Sequence, residues 1–215
     1  MRNIRLNGSS ITVLAVVKGL TSEADAVERA YGEVRPDAIA VSISREELTG
    51  LRNREDYDRY EPSDLEIIYQ AFLERFGEVR LPPPAFVRAL EISERDGAAI
   101  LPLDMNDEVY TEAYCQSVST SDMIRESLFA RRATGRHYDL TDPIAFARSW
   151  DAKVNRASGF RELEEAREKH MAEALRNLGR RYHNILAVVE CERSDGVVAI
   201  LENGAGSAAP ALPDS

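Results

Sequence analysis

The stretch that most constrains this chain is DAIAVSISREE, in which a short apolar run from Asp37 to Ile43 leads straight into Ser44, with Glu47 three residues later. Ser followed at that spacing by Glu is a capping box: each side chain takes up an N–H group that the first helical turn leaves without a partner. The chain therefore turns directly from a strand into a helix. Upstream the alternation repeats. Residues 3–17 predict a β-hairpin, because Asn7-Gly8 supplies the positive-φ positions of a tight turn before the β-branched run from Ile11 to Val17. A helix follows, capped by Thr21 or Ser22, with Ala24, Val27, Tyr31 and Val34 at helical spacing and a stop at Pro36. Strand, helix, strand, helix before residue 53 indicates a right-handed βαβ unit and hence a parallel sheet.

The remainder is more helical. Arg52 to Glu61 reads as a charged loop, and Ser63 with Glu66 forms a second capping box opening a helix from Leu65 to Phe76, closed by Gly77. Pro82 to Pro84 start a helix that runs to about Arg95, and Ala98 to Leu103 is a strand ending at Asp104. Helices are expected over 107–117, 121–133 and 143–157, the last capped by Asp142 with Pro143 in its first turn, and a long one over 160–178. Ile185 to Val189 and Gly196 to Leu201 read as two further strands. The expectation is one α/β domain over residues 1–201, a largely parallel sheet flanked by helices with a helical middle region at about 53–158, and a disordered tail over 202–215.

Charge narrows the function classes. With 27 Lys plus Arg against 37 Asp plus Glu, the net charge of −10 disfavours nonspecific binding to nucleic acid or to an anionic membrane. The first residues, MRNIRLNGSS, carry no apolar leader, and no apolar run approaches the roughly 18 residues of a membrane span, so a cytoplasmic location is expected. Cys115 and Cys191 have no metal or disulfide spacing; Cys115 reads as a small core residue of an amphipathic helix. His137, His170 and His183 are scattered without HxxxH or HExxH spacing, and neither GxGxxG nor GxxxxGK[ST] occurs, so neither a metal nor a cofactor is expected.

In an open parallel sheet, ligands collect beyond the carboxyl ends of the strands. That rule selects Lys18, Ser42, Asp104 and the group Glu190, Glu192 and Arg193. Arg167 adds an anomaly, because it interrupts the stripe Phe160, Leu163, Met171, Ala174 and Leu178 of the long helix. A guanidinium held there needs a carboxylate such as Asp104, Glu190 or Glu192, unless it reaches solvent along its stem. His170, on the flank of the same helix, is a candidate base or ligand, or a solvated side chain. The Ser119-Thr120-Ser121-Asp122 run reads as a helix start.

Three segments carry a family likeness. ITVLAVVKGLTSEADAVERAYGEVRPDAIAVSIS, AREKHMAEAL and ILAVVECERSDGV resemble the opening, the Arg-containing helix and the closing strand of TraB/PrgY-like proteins, which are related to the Tiki proteases and to the erythromycin-esterase and ChaN-like group. The resemblance implies two G-x-x-H motifs and a strand glutamate that serve a divalent metal. Here the first glycine and histidine fall on Ala15 and Lys18, the glutamate on Ser42, and the second pair on Glu190 and Arg193; the helix arginine is retained as Arg167, with Glu168 in the acidic position. Lys18 and Arg193 are cations that repel a divalent ion. Lys18, Arg167 and Arg193 then form either an anion-binding pocket or a structural network neutralised by Glu190, Glu192 and Asp104. The resulting expectation is a TraB-like domain with a degenerate metal site and a binding or regulatory role toward a small anionic ligand or a protein partner, with a homo-oligomer as one possibility. The alternative is a hydrolase with a rebuilt centre, in which Lys18 or His170 acts as base.

Overall fold

In the computed structural model, which describes residues 1–6, 8–53 and 62–205, the strand-to-helix junction forms as the capping box requires. Strand β3 (Ala38–Val41) passes into α2 (Arg45–Arg52); the Glu47 N–H donates to Ser44 Oγ at 3.0 Å and the Ser44 N–H donates to the Glu47 carboxylate at 2.8 Å. Ahead of it, β1 (Arg2–Leu6) and β2 (Ser9–Val16) pair antiparallel from Arg2 opposite Val13 to Leu6 opposite Ser9. Gly8, at φ 86°, supplies the left-handed turn position; Asn7 lies outside the described residues. Helix α1 (Ser22–Val34) ends on Arg35 in the left-handed region, so the helix closes before Pro36 is reached.

Helices α3 (Asp64–Leu73) and α4 (Pro84–Asp96) follow, then strand β4 (Ala99–Pro102). Next come α5 (Asp107–Ser117), α6 (Thr120–Ala130), α7 (Pro143–Val154), α8 (Ser158–Leu178), β5 (Asn184–Glu190) and α9 (Cys191–Ala205). Among the described residues five strands lie in the order β1-β2-β5-β3-β4, parallel except for the β1 edge. The chain is α/β. Helix α1 carries it from β2 to β3 across one vacant position, and β5 later fills that position.

The central strand explains the layering. Along β5, Leu186 and Val188 join α1 and α4 on one face, whereas Ile185, Ala187 and Val189 join α8 and α9 on the other. Both faces are covered, so the strand reads as a continuous apolar run instead of an alternating one. A third cluster, built by α3 and α7, stacks Tyr69, Phe72, Phe146 and Trp150 over the carboxyl ends of β2 and β5, beside Val17 and Cys191.

Several expectations need correction. Gly196–Leu201 is not a strand but the middle of α9, which also takes in residues 202–205 of the expected tail; residues 206–215 lie outside the described residues. Val197, Val198 and Leu201 face the sheet at helical spacing, a pattern that a short apolar run after a glycine does not distinguish from a strand. Cys115 is exposed, because α5 lies at the rim and turns Ala113 and Tyr114 toward Phe160 of α8. Helix α2 extends through Arg52, α3 ends at Leu73 ahead of Phe76, and β2 ends at Val16, leaving Lys18 in the turn beyond it. The rest of the expected charged loop, 54–61, lies outside the described residues. Among the described residues no helix is long and apolar enough to cross a membrane.

Candidate functional site

Beyond the carboxyl ends of the parallel strands the polar side chains close into one connected network. Gly19, at φ 105° with Val79 tight against it, turns the chain after β2 and leaves Lys18 at the mouth of the sheet. The Lys18 ammonium pairs with the Glu190 carboxylate at 3.5 Å, and the backbone N–H of Glu190 donates to Ser42 Oγ at 3.0 Å. Arg167 reaches in from α8. It donates to Asp104 at 3.1 Å and to Glu164 at 2.7 Å, and lies 4.0 Å from Glu190. Arg193, from the first turn of α9, is caged by Asp151 of α7 and by Glu168 and Glu164 of α8, the last two at 3.2 and 3.4 Å. The structure thus brings together Lys18, Ser42, Asp104, Arg167, Glu168, Glu190 and Arg193. His170 stands apart: it is partly exposed and makes no hydrogen bond or ion pair among the described residues.

The side chain of Arg193 is only 7% exposed and that of Arg167 18%, so neither guanidinium is free to meet a ligand without giving up a carboxylate. Burial lowers the affinity of both for a proton, but the neighbouring carboxylates outweigh it and hold both above the usual arginine range. Burial also pushes Asp151, Glu164 and Glu168 up, by more than the guanidiniums pull them down. A buried ion-pair cage of this kind is structurally demanding. Its desolvation cost is offset only while every partner is present. Lys18 is held above its ordinary range chiefly by the Glu190 charge, the direction opposite to that of a general-base lysine.

Carboxylates outnumber cations here, and the surplus faces a cleft of about 280 Å³. Lys18, Tyr69, Val79, Trp150, Glu190 and Glu192 contribute to its walls. Glu192 makes no ion pair among the described residues; burial, and then the Glu190 charge, push its carboxyl up to about 7. The Cys191 thiol donates to Glu192 at 3.3 Å. Tyr69 lines the same cleft, but its hydroxyl is buried with no hydrogen-bond partner among the described residues, and burial together with Glu192 raises its pKa. A carboxyl that exchanges its proton near neutrality at the wall of a cleft can give a proton to a bound molecule or take one from it.

The strand-end rule selects Glu192 from the sequence, but nothing there marks its raised carboxyl, and Tyr69, Asp151 and Glu164 are not among the residues it selects. Glu164 was within reach, since it stands three residues before Arg167 on the same helix face. Tyr69 and Asp151 come from α3 and α7, and nothing local marks them as neighbours of the strand ends.

The divalent metal implied by the TraB/PrgY resemblance does not fit the residues present. The mapped positions offer an ammonium, a guanidinium and a hydroxyl already accepting a hydrogen bond, and among the described residues no group of three or more His, Cys, Asp or Glu side chains is arranged to hold a metal ion. No protein-family model matches the chain, and no curated protein matches it.

Proposed function

We propose that this chain is a TraB-like domain with a degenerate metal site, acting as a binding or regulatory protein of the cytoplasm. One observation carries the reading. The positions onto which the resemblance maps the metal-binding residues are filled by ion-paired cations and a hydrogen-bonded serine, from Lys18 with Glu190 to Arg193 in its cage. Because carboxylates exceed cations and face the cleft, the ligand that suits the strand ends is a small neutral or cationic molecule, in place of the anionic one expected from Lys18, Arg167 and Arg193, with Glu192 as its polar anchor. Calorimetric titration of chelator-treated protein with Mn²⁺, Co²⁺ and Zn²⁺, run beside a peptidase assay, tests it. Silence in both is the expected outcome, and tight stoichiometric binding with activity would overturn the reading.

A second reading is a hydrolase with a rebuilt, metal-independent centre. It is favoured by Glu192, whose carboxyl is held up to about 7 inside the cleft, where general acid–base catalysis at neutral pH would want it. A hydrolytic activity whose pH profile loses its limb near neutrality in Glu192→Gln would establish it.

A further inference from the structure

A second concavity, which shares Val154 of α7 with the strand-end cleft, has the reverse chemistry. It is a groove of about 400 Å³ onto which Arg125, Arg132, Arg136, Lys153 and Arg156 converge. Among the described residues lining it Glu126 is the one carboxylate, so the lining carries net +4 in a chain of net −10. Arg132, Arg136, Lys153 and Arg156 make no ion pair among the described residues, in contrast to the fully caged Arg167 and Arg193. Arg125 is paired at 3.5 Å with Asp122, itself engaged in the capping box of α6.

Two further features mark a built site. The guanidinium of Arg136 lies 5.6 Å above the Phe129 ring, and the Lys153 ammonium 5.7 Å above the Tyr138 ring. These aromatic faces hold mutually repelling cations beside one another. Ala157, the N-cap residue of α8, closes the groove wall, and the buried Asp122 carboxylate packs against Gly159 in the first turn of that helix, so the positive field of the groove comes from its side chains. Leu128, Phe129 and Val154 supply an apolar floor.

We infer that this groove, between α6 and the α7–α8 corner, binds a small organic polyphosphate, with the arginines on the phosphates and the apolar floor under the carbon frame. The size excludes an extended polymer as the matched occupant, and a compact ligand that balances several cations needs its charges densely placed, as phosphates are. Arginine forks donate to phosphate oxygens two at a time, which fixes orientation as well as charge.

The test is calorimetry on the full chain with a nucleoside triphosphate and with inositol hexakisphosphate, at low salt and without divalent ions. Saturable binding of either is expected, and the tighter of the two assigns the carbon frame. Arg132→Glu combined with Arg136→Glu should weaken it at least about tenfold, one charge-assisted contact being of that size. Arg180→Glu combined with Arg181→Glu makes the same charge change on exposed side chains about 30 Å away along α8 and should shift binding by less than about threefold. Arg156→Glu, an exposed position on the groove wall, replaces the double variant should that variant unfold. The inference fails if neither probe saturates by about 1 mM, an affinity floor near 4 kcal/mol. It fails equally if the groove and remote variants lose affinity alike, or if a polyglutamate peptide or anionic vesicles bind more tightly than both phosphates.

Discussion

Glu192 gives the strand-end cluster its pH response. Its carboxyl is pushed up to about 7 in the folded chain, whereas an unfolded glutamate titrates near about 4.3. Between those values the folded state keeps a proton that the unfolded state has released, so the contribution is fully present below the lower value and is lost as pH rises through the upper one. The difference amounts to at most about 4 kcal/mol. Urea midpoints should therefore fall between about pH 5 and about pH 8, and Glu192→Gln, which keeps the shape without the titration, should shrink that fall. An unchanged slope in the variant would remove Glu192 from the account. Arg193 is the opposite case. Arg193→Met leaves Asp151 and Glu168 without a guanidinium and Glu164 with Arg167 alone, and should cost about 3–5 kcal/mol in urea unfolding at neutral pH. Those carboxyls are already raised by burial, so the deficit should narrow as the pH is lowered and they take up protons. At this scale the sequence made Arg167 legible, because a charge inside an apolar stripe demands a partner. The cage around Arg193 was not legible: its carboxylates belong to two helices that meet it only in the tertiary fold.

Elements were legible where local chemistry fixed their ends. Ser44, Ser63 and Ser119 each accept the N–H of the residue three places on, and each opens a helix at the expected position. Helix α9 is not legible because it follows β5 without an intervening loop and carries Gly196 in its interior, a residue that ordinarily weakens a helix. The structure shows why glycine stands there: a Cβ at position 196 would overlap the Glu168 carboxylate that pairs with Arg193. Two glycine-to-alanine changes therefore have opposite signs. Gly32, in α1, has nothing within 4 Å of an added Cβ, and Gly32→Ala should stabilise by about 0.5–1 kcal/mol through backbone entropy alone. Gly196→Ala gains the same entropy but displaces Glu168 from its arginine, and overpacking of about 1–3 kcal/mol should win. Thermal midpoints of the two variants, measured side by side, check the pair; a rise in both would show that Glu168 moves aside without cost.

At the scale of the whole molecule the strand order carries the strongest consequence. Alternating strands and helices showed that a parallel sheet would form, yet nothing local told the order of its strands: β5, a late element, inserts between β2 and β3 and pairs with both. Until it does so, β2 and β3 lack their common neighbour, and the two helical layers have no continuous surface to cover. Ile185, Leu186, Val188 and Val189 are each fully buried in that strand; at about 1.5–3 kcal/mol per side chain, they contribute as much as the entire net stability of about 5–15 kcal/mol of an ordinary domain. Folding should accordingly be all-or-none across the described residues. In urea, fluorescence of the single Trp150, which reports the strand-end aromatic cluster, and far-UV circular dichroism, which reports the helices, should give coincident transitions. A fragment of residues 1–183, with every strand but β5 and every helix but α9, should show no cooperative transition at all. If the fragment kept dispersed amide resonances and a sharp urea midpoint, the β2–α1–β3 half would be an independent folding unit, and the central strand an addition to a sheet that already stood.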